Sequence, residues 1–328
     1  MPASRRALCA NDSFADFRQA AHAALAAQPK AISPKYFYDA RGSALFEEIT
    51  ALPEYYPTRT ERSIMAHFAR EIAAACGAQR LVVEFGAGAS HKSEALLESL
   101  PAPAGYAALE IDAETLNQAQ QRLRARFPKL PLYAIAADFT APFAKALAAL
   151  PSAPKLGFFP GSTLGNLDPP EAITFLRRAR QSLGATAKML IGVDLVKNPR
   201  PLVNAYNDGP GVTAAFNLNL LRRMVNDLGA RLCLADFAHA ARWNAGQSRI
   251  EMHLVAQRPT RIELDGVSYL FAAGESLHTE NSYKYTRPQL SRRAAEAGWR
   301  LGQVWTDPQD YFMVAMLEAD PDADRVAS

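Results

Sequence analysis

Between residues 58 and 196 the chain alternates short apolar runs with amphipathic helical stretches, and this alternation constrains the fold more than any other feature. The runs over 81–85 (Leu81-Val82-Val83-Glu84-Phe85), 106–109, 132–136, 156–159 and 189–196 read as buried strands. Thr58-Arg59-Thr60-Glu61 has the spacing of a capping box, so the first helix is expected to open near Thr58. It continues through Ile64, His67, Phe68 and Ile72 and stops at Gly77. Asp168-Pro169-Pro170-Glu171 opens another helix, with Asp168 as N-cap and prolines in the first turn, where a missing N–H costs least. Strands and helices in this order predict a parallel sheet covered on both faces.

The alternation breaks at Lys197-Asn198-Pro199-Arg200-Pro201. From 202 to 283 the pattern is helical first, then strand-like over 249–255 and 267–271. A helix over 287–297, strands over 302–306 and 311–317, and a turn at 307–310 follow, and the terminal hairpin is expected to finish the sheet with an antiparallel strand. The second domain is therefore discontinuous, made of an N-terminal arm and an insertion. The 328 residues are 49% hydrophobic and 21% charged with a net charge of +3, which excludes global disorder and gives no polyanion-binding surface. Arg122-Arg124-Arg126 and Arg177-Arg178-Arg180 read as solvated helix faces, so no nucleic-acid partner is expected. No apolar run approaches the roughly 18 to 20 residues that span a bilayer. The stretch after Arg5-Arg6 is too short for a signal, and a flexible, soluble N-terminus is expected. Cys9, Cys76 and Cys233 are too scattered for a disulfide framework, which suits a reducing cytoplasm. The six histidines show no metal-ligand spacing, and no metal is expected.

Glu84-Phe85-Gly86-Ala87-Gly88-Ala89-Ser90 follows the first strand and opens a helix. Glycine there lets a ligand approach the backbone, and the helix N-terminus offers unpaired N–H groups. His91 occupies the place where a dinucleotide fingerprint wants a small residue. The loop resembles instead the acidic-x-Gly-x-Gly motif with which class I methyltransferases bind S-adenosylmethionine (SAM). Glu110 ends the second strand, where a carboxylate can accept from both ribose hydroxyls. Asp112 reads as the N-cap of the next helix, and Asp138-Phe139 ends the third strand, placed for an adenine amino group and ring.

Longer motifs carry a resemblance over nearly the whole chain. They are Pro34-Lys35-Tyr36-Phe37-Tyr38-Asp39, Leu52-Pro53-Glu54-Tyr55-Tyr56-Pro57-Thr58-Arg59, Gly161-Ser162-Thr163-Leu164-Gly165-Asn166, Gly211-Val212-Thr213-Ala214-Ala215-Phe216-Asn217, Ile250-Glu251-Met252-His253 and Thr279-Glu280-Asn281-Ser282. In this order they resemble the L-histidine Nα-methyltransferases of ergothioneine biosynthesis, which trimethylate histidine to hercynine with SAM. The resemblance implies an α/β fold: a Rossmann-like class I methyltransferase sheet with a discontinuous second α+β substrate-binding domain. The SAM-binding part is placed at 61–197 and 284–328, the substrate-binding part at 1–60 and 198–283. The protein is expected to work as a monomer on a small-molecule substrate, histidine and its mono- and dimethyl forms, away from membranes.

Residue roles come with the resemblance. The positions matching Asn166 and Tyr206 hold the substrate carboxylate and help place the amine. Those matching Tyr56, Glu280 and Ser282 meet the imidazole, and the match of Tyr38 lies beside the amine. Positions matching Gly86, Lys92, Glu110, Asp138 and Phe139 contact SAM. Glu110 stands where relatives often carry Asp, and Pro160-Gly161-Ser162 lacks a second glycine that some relatives have. Glu280 and Ser282 are two apart, so a strand turns both side chains the same way. A carboxylate beside a hydroxyl matches the two ring nitrogens of an imidazole. No dedicated general base is evident, so the amine proton is expected to leave to solvent near Tyr38. Phe46 or Tyr38 is expected to face the growing cation, worth about 0.5 to 2 kcal/mol. The alternatives are a same-fold N-methyltransferase acting on another amino acid or small amine, and a non-catalytic SAM-binding protein.

Overall fold

The computed structural model describes residues 6–88 and 92–323, with side chains described from residue 14 onward except that of Ala113. The chain divides into two compact units, one of residues 1–55 and 198–282, the other of 56–197 and 283–328. Its strands in chain order are β1 (Leu81–Phe85), β2 (Gly105–Glu110), β3 (Leu132–Ala136), β4 (Lys155–Phe159), β5 (Lys188–Asp194), β6 (Phe237–Asn244), β7 (Arg249–Ala256), β8 (Thr260–Leu264), β9 (Val267–Phe271), β10 (Ser276–Tyr283), β11 (Trp299–Thr306) and β12 (Phe312–Ala319).

The larger unit holds a seven-stranded sheet in the order β11-β12-β5-β4-β1-β2-β3. Strands β1 to β5 are parallel, and β12 pairs antiparallel with both β5 and β11. The terminal hairpin therefore finishes the sheet as the sequence predicts. Alternation along β1 splits its side chains between two cores. Leu81, Val83 and Phe85 join Phe159, Phe175, Leu290 and Trp299 on one face, while Val82 joins Ile64, Leu96, Tyr106, Leu190 and Phe312 on the other. Burial on both faces explains why these strands read as continuous apolar runs. Strand order reverses at β1, flanked by β4 and β2, and in open α/β sheets ligands bind beyond the carboxyl ends of the strands at such a switch point.

Several local expectations shift. The first helix of this unit runs Tyr56–His67, opening before Thr58, so Thr58 and Glu61 are interior residues and form no capping box. Strand β5 ends at Asp194, before Val196, because Val196 N–H leaves the ladder for the Tyr285 carbonyl at 3.0 Å. Asp168 does cap the helix Pro169–Leu183 in a capping box with Glu171, and Asp112 caps Ala113–Arg126. Arg122 pairs with Glu94 at 2.8 Å and Arg126 with Glu98 at 2.6 Å on partly exposed surfaces. Arg180, however, is buried and donates to the Asp320 carbonyl at 3.0 Å, so that part of the basic run is not a solvated face.

In the smaller unit a three-stranded sheet, β10-β7-β6, packs against the helix Val212–Leu228, beside the two-stranded β8–β9 hairpin. The helix Ala40–Ala51 packs on Val212–Leu228. A helix Arg6–Ala26 begins inside the segment expected to be flexible, while Met1–Arg5 lie outside the described residues. Among the described residues no helix is long and apolar enough to cross a membrane.

Candidate functional site

In the larger unit the carboxyl ends of β1, β2 and β3 carry the residues expected to hold SAM. Gly86 adopts φ +71° and Gly88 φ +42°, conformations in which a side chain is strained. A Cβ at Gly86 would lie 3.2 Å from the Phe139 ring, so glycine lets that ring close over the loop. The Gly86 and Ala87 N–H groups donate to the Leu109 carbonyl at 2.9 and 3.2 Å, tying the loop to the end of β2. Ala89, Ser90 and His91, including the position that argued against a dinucleotide fingerprint, lie outside the described residues.

Glu110 is brought to the same loop. Its carboxylate accepts from Gly88 N–H at 3.1 Å and from the Ile111 and Asp112 N–H groups at 2.8 and 3.1 Å. Burial raises its pKa, and these backbone donors partly offset the rise. Asp138 accepts from Thr140 N–H at 2.8 Å, which fixes the turn after β3. Phe139 is half-buried and meets Phe159 and Phe175 edge-on at 5.5 and 5.8 Å. Behind the loop, Glu84 is wholly buried and accepts from the Tyr106 hydroxyl. Burial pushes its carboxyl up to about 7, against the pull of the Tyr106 and Ser93 hydrogen bonds.

Lys92 opens the helix Lys92–Ser99 and is buried against Glu61, with which it forms an ion pair. Both Glu61 oxygens also accept from Gly161 N–H at 3.0 Å. Glu61, inside its own helix, thus links the first turn of Lys92–Ser99 to the end of β4. The motif reading missed this role because the Thr58–Glu61 spacing matched a cap. The signal available was a glutamate followed four residues on from Pro57 by an apolar helix face, which is too common to single out.

The stretch from Gly161 to Asn166 passes through two residues of positive φ before a 3-10 turn. Gly161 has φ +79°, and Ser162 adopts φ +60°. Its hydroxyl accepts from Asp194 N–H at 3.0 Å, which ties the strained residue to the end of β5. A Cβ at Gly165 would fall 2.7 Å from the Tyr283 carbonyl oxygen, so only glycine fits. These contacts set the 3-10 turn Thr163–Asn166 that carries the half-buried Asn166.

Tyr56, in the same unit, donates to the wholly buried Asp194 carboxylate at 2.8 Å. Lys197 and Lys284 contact that carboxylate at 2.5 and 2.9 Å, and Lys197 Nζ is also 2.7 Å from the Tyr56 hydroxyl. Burial alone would raise the Asp194 pKa, but Lys284 and then Lys197 outweigh it and hold it below the carboxylate norm. Burial takes Lys197 down to about 8, against the attraction of Asp194.

The smaller unit brings together a second set. Tyr206 follows the helix Pro199–Ala205, and its hydroxyl lies 2.7 Å from that of Ser282 in β10. Glu280 is buried on the same face of β10 as Ser282. Tyr38 caps the 3-10 turn Pro34–Phe37 and packs edge-on against Phe46 and Phe216 at 5.9 and 5.7 Å. Phe46 continues to Tyr55 at 6.3 Å, and Tyr55 to Tyr206 at 6.2 Å. Tyr38, Phe46 and Tyr206 therefore belong to one run of aromatic rings. Tyr55, which the sequence reading did not single out, is its link. Among the described residues no cluster of His, Cys, Asp or Glu is arranged to hold a metal ion.

A family model described as histidine-specific methyltransferase, SAM-dependent, matches residues 17–319. Histidine N-alpha-methyltransferase from Mycolicibacterium smegmatis is 39% identical over 315 residues, covering 94% of this chain and 97% of the relative. The protein of the same name from Mycobacterium tuberculosis is 35% identical over 305 residues, covering 91% and 94%. Ergothioneine biosynthesis protein 1 of Neurospora crassa is 29% identical over 291 residues, and the match spans 86% of this chain and 32% of that longer protein. A solved SAM-dependent methyltransferase from Clostridium acetobutylicum superposes with a TM-score of 0.47 at 8% identity, over 84% of this chain and 98% of the other. The bare glycine backbone under Phe139 and the Glu110 carboxylate beside it fit the cofactor named by the family model, and the chain belongs to the histidine-specific, SAM-dependent methyltransferase family.

Proposed function

We propose that this protein transfers methyl groups from SAM to the α-amine of L-histidine, three times over, and releases hercynine. The observation that carries the reading is near full-length similarity to histidine N-alpha-methyltransferases, at 39% identity over 94% of the chain. In this proposal Gly86, Lys92, Glu110, Asp138 and Phe139 hold SAM. Asn166 and Tyr206 take the substrate carboxylate, Tyr56, Glu280 and Ser282 the imidazole, and Tyr38 stands beside the amine.

When bound, SAM supplies an electrophilic methyl group already activated by its sulfonium charge. The chain's task is then positioning, which can lower a barrier by roughly 7 to 11 kcal/mol when the reacting atoms are held in line. The amine must be neutral, and each unit by which its pKa exceeds the working pH adds about 1.4 kcal/mol to the cost of deprotonating it. No carboxylate need act as a strong base. Glu280 accepts an imidazole N–H and favours the ring's protonated form. The rings of Tyr38 and Phe46 contribute cation–π attraction to the methylated ammonium, worth about 0.5 to 2 kcal/mol.

The same reading has a monomer at work in a reducing, cytoplasmic setting. Support for the setting comes from Cys76 and Cys233, both free thiols, with burial pushing that of Cys76 up to about 12. Sedimentation velocity of the purified protein tests the monomer. For the substrate roles, Glu280→Ala is expected to raise the histidine KM at least about tenfold, the loss of a hydrogen bond to a charged group, while SAM affinity stays put. Equal loss of both would make Glu280 a structural residue.

A further inference from the structure

Tyr206 is held at both ends. Its hydroxyl meets Ser282 at 2.7 Å, and its backbone carbonyl accepts from His239 Nε2 at 2.8 Å. That carbonyl lies past the last turn of Pro199–Ala205, where no intrahelical donor is available. His239, in β6, reaches it from across the sheet unit.

The proton arrangement on His239 follows from its other partner. Asn217 Nδ2 lies 2.9 Å from His239 Nδ1 and 3.0 Å from the His253 carbonyl oxygen. A carbonyl can only accept, so the His253 contact fixes which end of the Asn217 side chain carries the N–H groups. Asn217 Oδ1 then faces the Thr279 hydroxyl at 2.8 Å, which also reaches the Met252 carbonyl at 3.0 Å. With an amide N–H pointing at it, His239 Nδ1 must be the acceptor. The ring proton is therefore on Nε2, where the Tyr206 carbonyl requires a donor. Asn217 and Thr279 are 0% and 1% exposed, so water cannot substitute for these partners. Burial lowers the His239 pKa, partly offset by the Tyr206 carbonyl and Asp208, which favours the neutral ring.

We propose that His239, as its neutral Nε2–H tautomer set by Asn217, is the positioning residue for Tyr206, and that affinity for the amino-acid substrate depends on it while affinity for SAM does not. The inference rests on Tyr206 being a substrate-binding residue. It also gives a physical task to three of the long motifs, since Asn217, Met252-His253 and Thr279 all belong to this network.

Two substitutions separate the two ring nitrogens. Gln places a donor near the Nε2 position and keeps the bond to the Tyr206 carbonyl, whereas Asn reaches only the Nδ1 position. His239→Asn is expected to raise the histidine KM about tenfold or more, the cost of a small displacement in a site that works by orientation, with the SAM Kd within about twofold. His239→Gln is expected to retain most of the affinity, within about threefold. Equal effects of the two substitutions, or a SAM Kd that moves with the KM, would overturn the inference. Tyr206→Phe, assayed alongside, distinguishes the two levels. An unchanged histidine KM there removes the substrate role of Tyr206 and the inference with it; a raised KM with equal Gln and Asn effects removes the inference alone. Should His239→Asn fail to fold, 15N spectra of the histidine-labelled wild-type protein at neutral pH decide: an Nε2–H neutral ring is expected, and an Nδ1–H or doubly protonated ring contradicts it.

Discussion

Gly192 faces Glu61: a Cβ built on Gly192 would stand 1.9 Å from Glu61 Oε1. The bare backbone in the middle of β5 is the space in which the Glu61 carboxylate reaches Lys92 and the Gly161 N–H. Gly192→Ala should therefore displace a buried ion pair. We expect a loss of about 1 to 3 kcal/mol from overpacking, and more where Lys92 is left unpaired. Chemical denaturation checks this, and an unchanged midpoint would show that Glu61 has another resting place.

At the end of β5, one carboxylate compensates two buried ammonium groups. Asp194→Asn removes the buried carboxylate that Lys197 and Lys284 both contact, and should cost about 3 to 5 kcal/mol. Lys197→Met behaves differently, because Lys284 still neutralises Asp194 and an unfavourably buried charge is gone. Its stability should stay within about 1 kcal/mol of the parent. Similar losses in the two variants would contradict this division of roles.

The cofactor loop gives a binding prediction. Glu110→Gln keeps the shape of the side chain but removes the charge that makes both oxygens strong acceptors. SAM affinity should fall about tenfold or more by calorimetry, with the fold intact. Gly86→Ala, which drives a methyl against the Phe139 ring from a residue at φ +71°, should weaken SAM at least as much. Full affinity in either variant would place the cofactor elsewhere.

Acid should loosen the smaller unit in a defined window. His253 stacks on His278 at 4.7 Å, and burial, then the neighbouring His278, push its pKa down from 6.5 to about 4. The unfolded chain takes up this proton first, so stability falls as pH drops from 6.5 toward 4. Glu251 acts in the next window. Burial would raise its pKa, but Asn244 and Arg249 hold it at about 2, and its contribution is lost as pH falls from 4.5 toward 2. Unfolding free energy should drop by about 2 kcal/mol between about pH 7 and pH 4.5, and His253→Gln should flatten that slope. A flat wild-type profile would contradict it.

The parallel sheet was legible in the sequence because β1, β2, β4 and β5 are buried on both faces, which forces continuous apolar runs between helices. The helix start was not. Thr58 and Glu61 match a capping box in spacing, yet Glu61 points to a strand end a hundred residues away, a tertiary demand that no local pattern carries. Strand β6 was missed for a related reason: its residues, Phe237–Asn244, are mostly half-buried and include His239, Arg242 and Asn244, so no clean alternation shows. Of the site, the glycine loop and Glu110 were readable from their places at strand ends. Tyr206 and Ser282 came only with the family resemblance, since an isolated tyrosine and a serine do not reveal that they meet.

Methyl transfer to the α-nitrogen of histidine is the activity proposed for this protein. Incubating the purified protein with SAM and a panel of free amino acids, then following products by mass spectrometry and the methyl position by NMR, tests it most directly. Histidine is expected to gain three methyl groups, all on the α-nitrogen, with S-adenosylhomocysteine formed in step. No transfer to histidine, or transfer to a ring nitrogen or to another amino acid in its place, would contradict it.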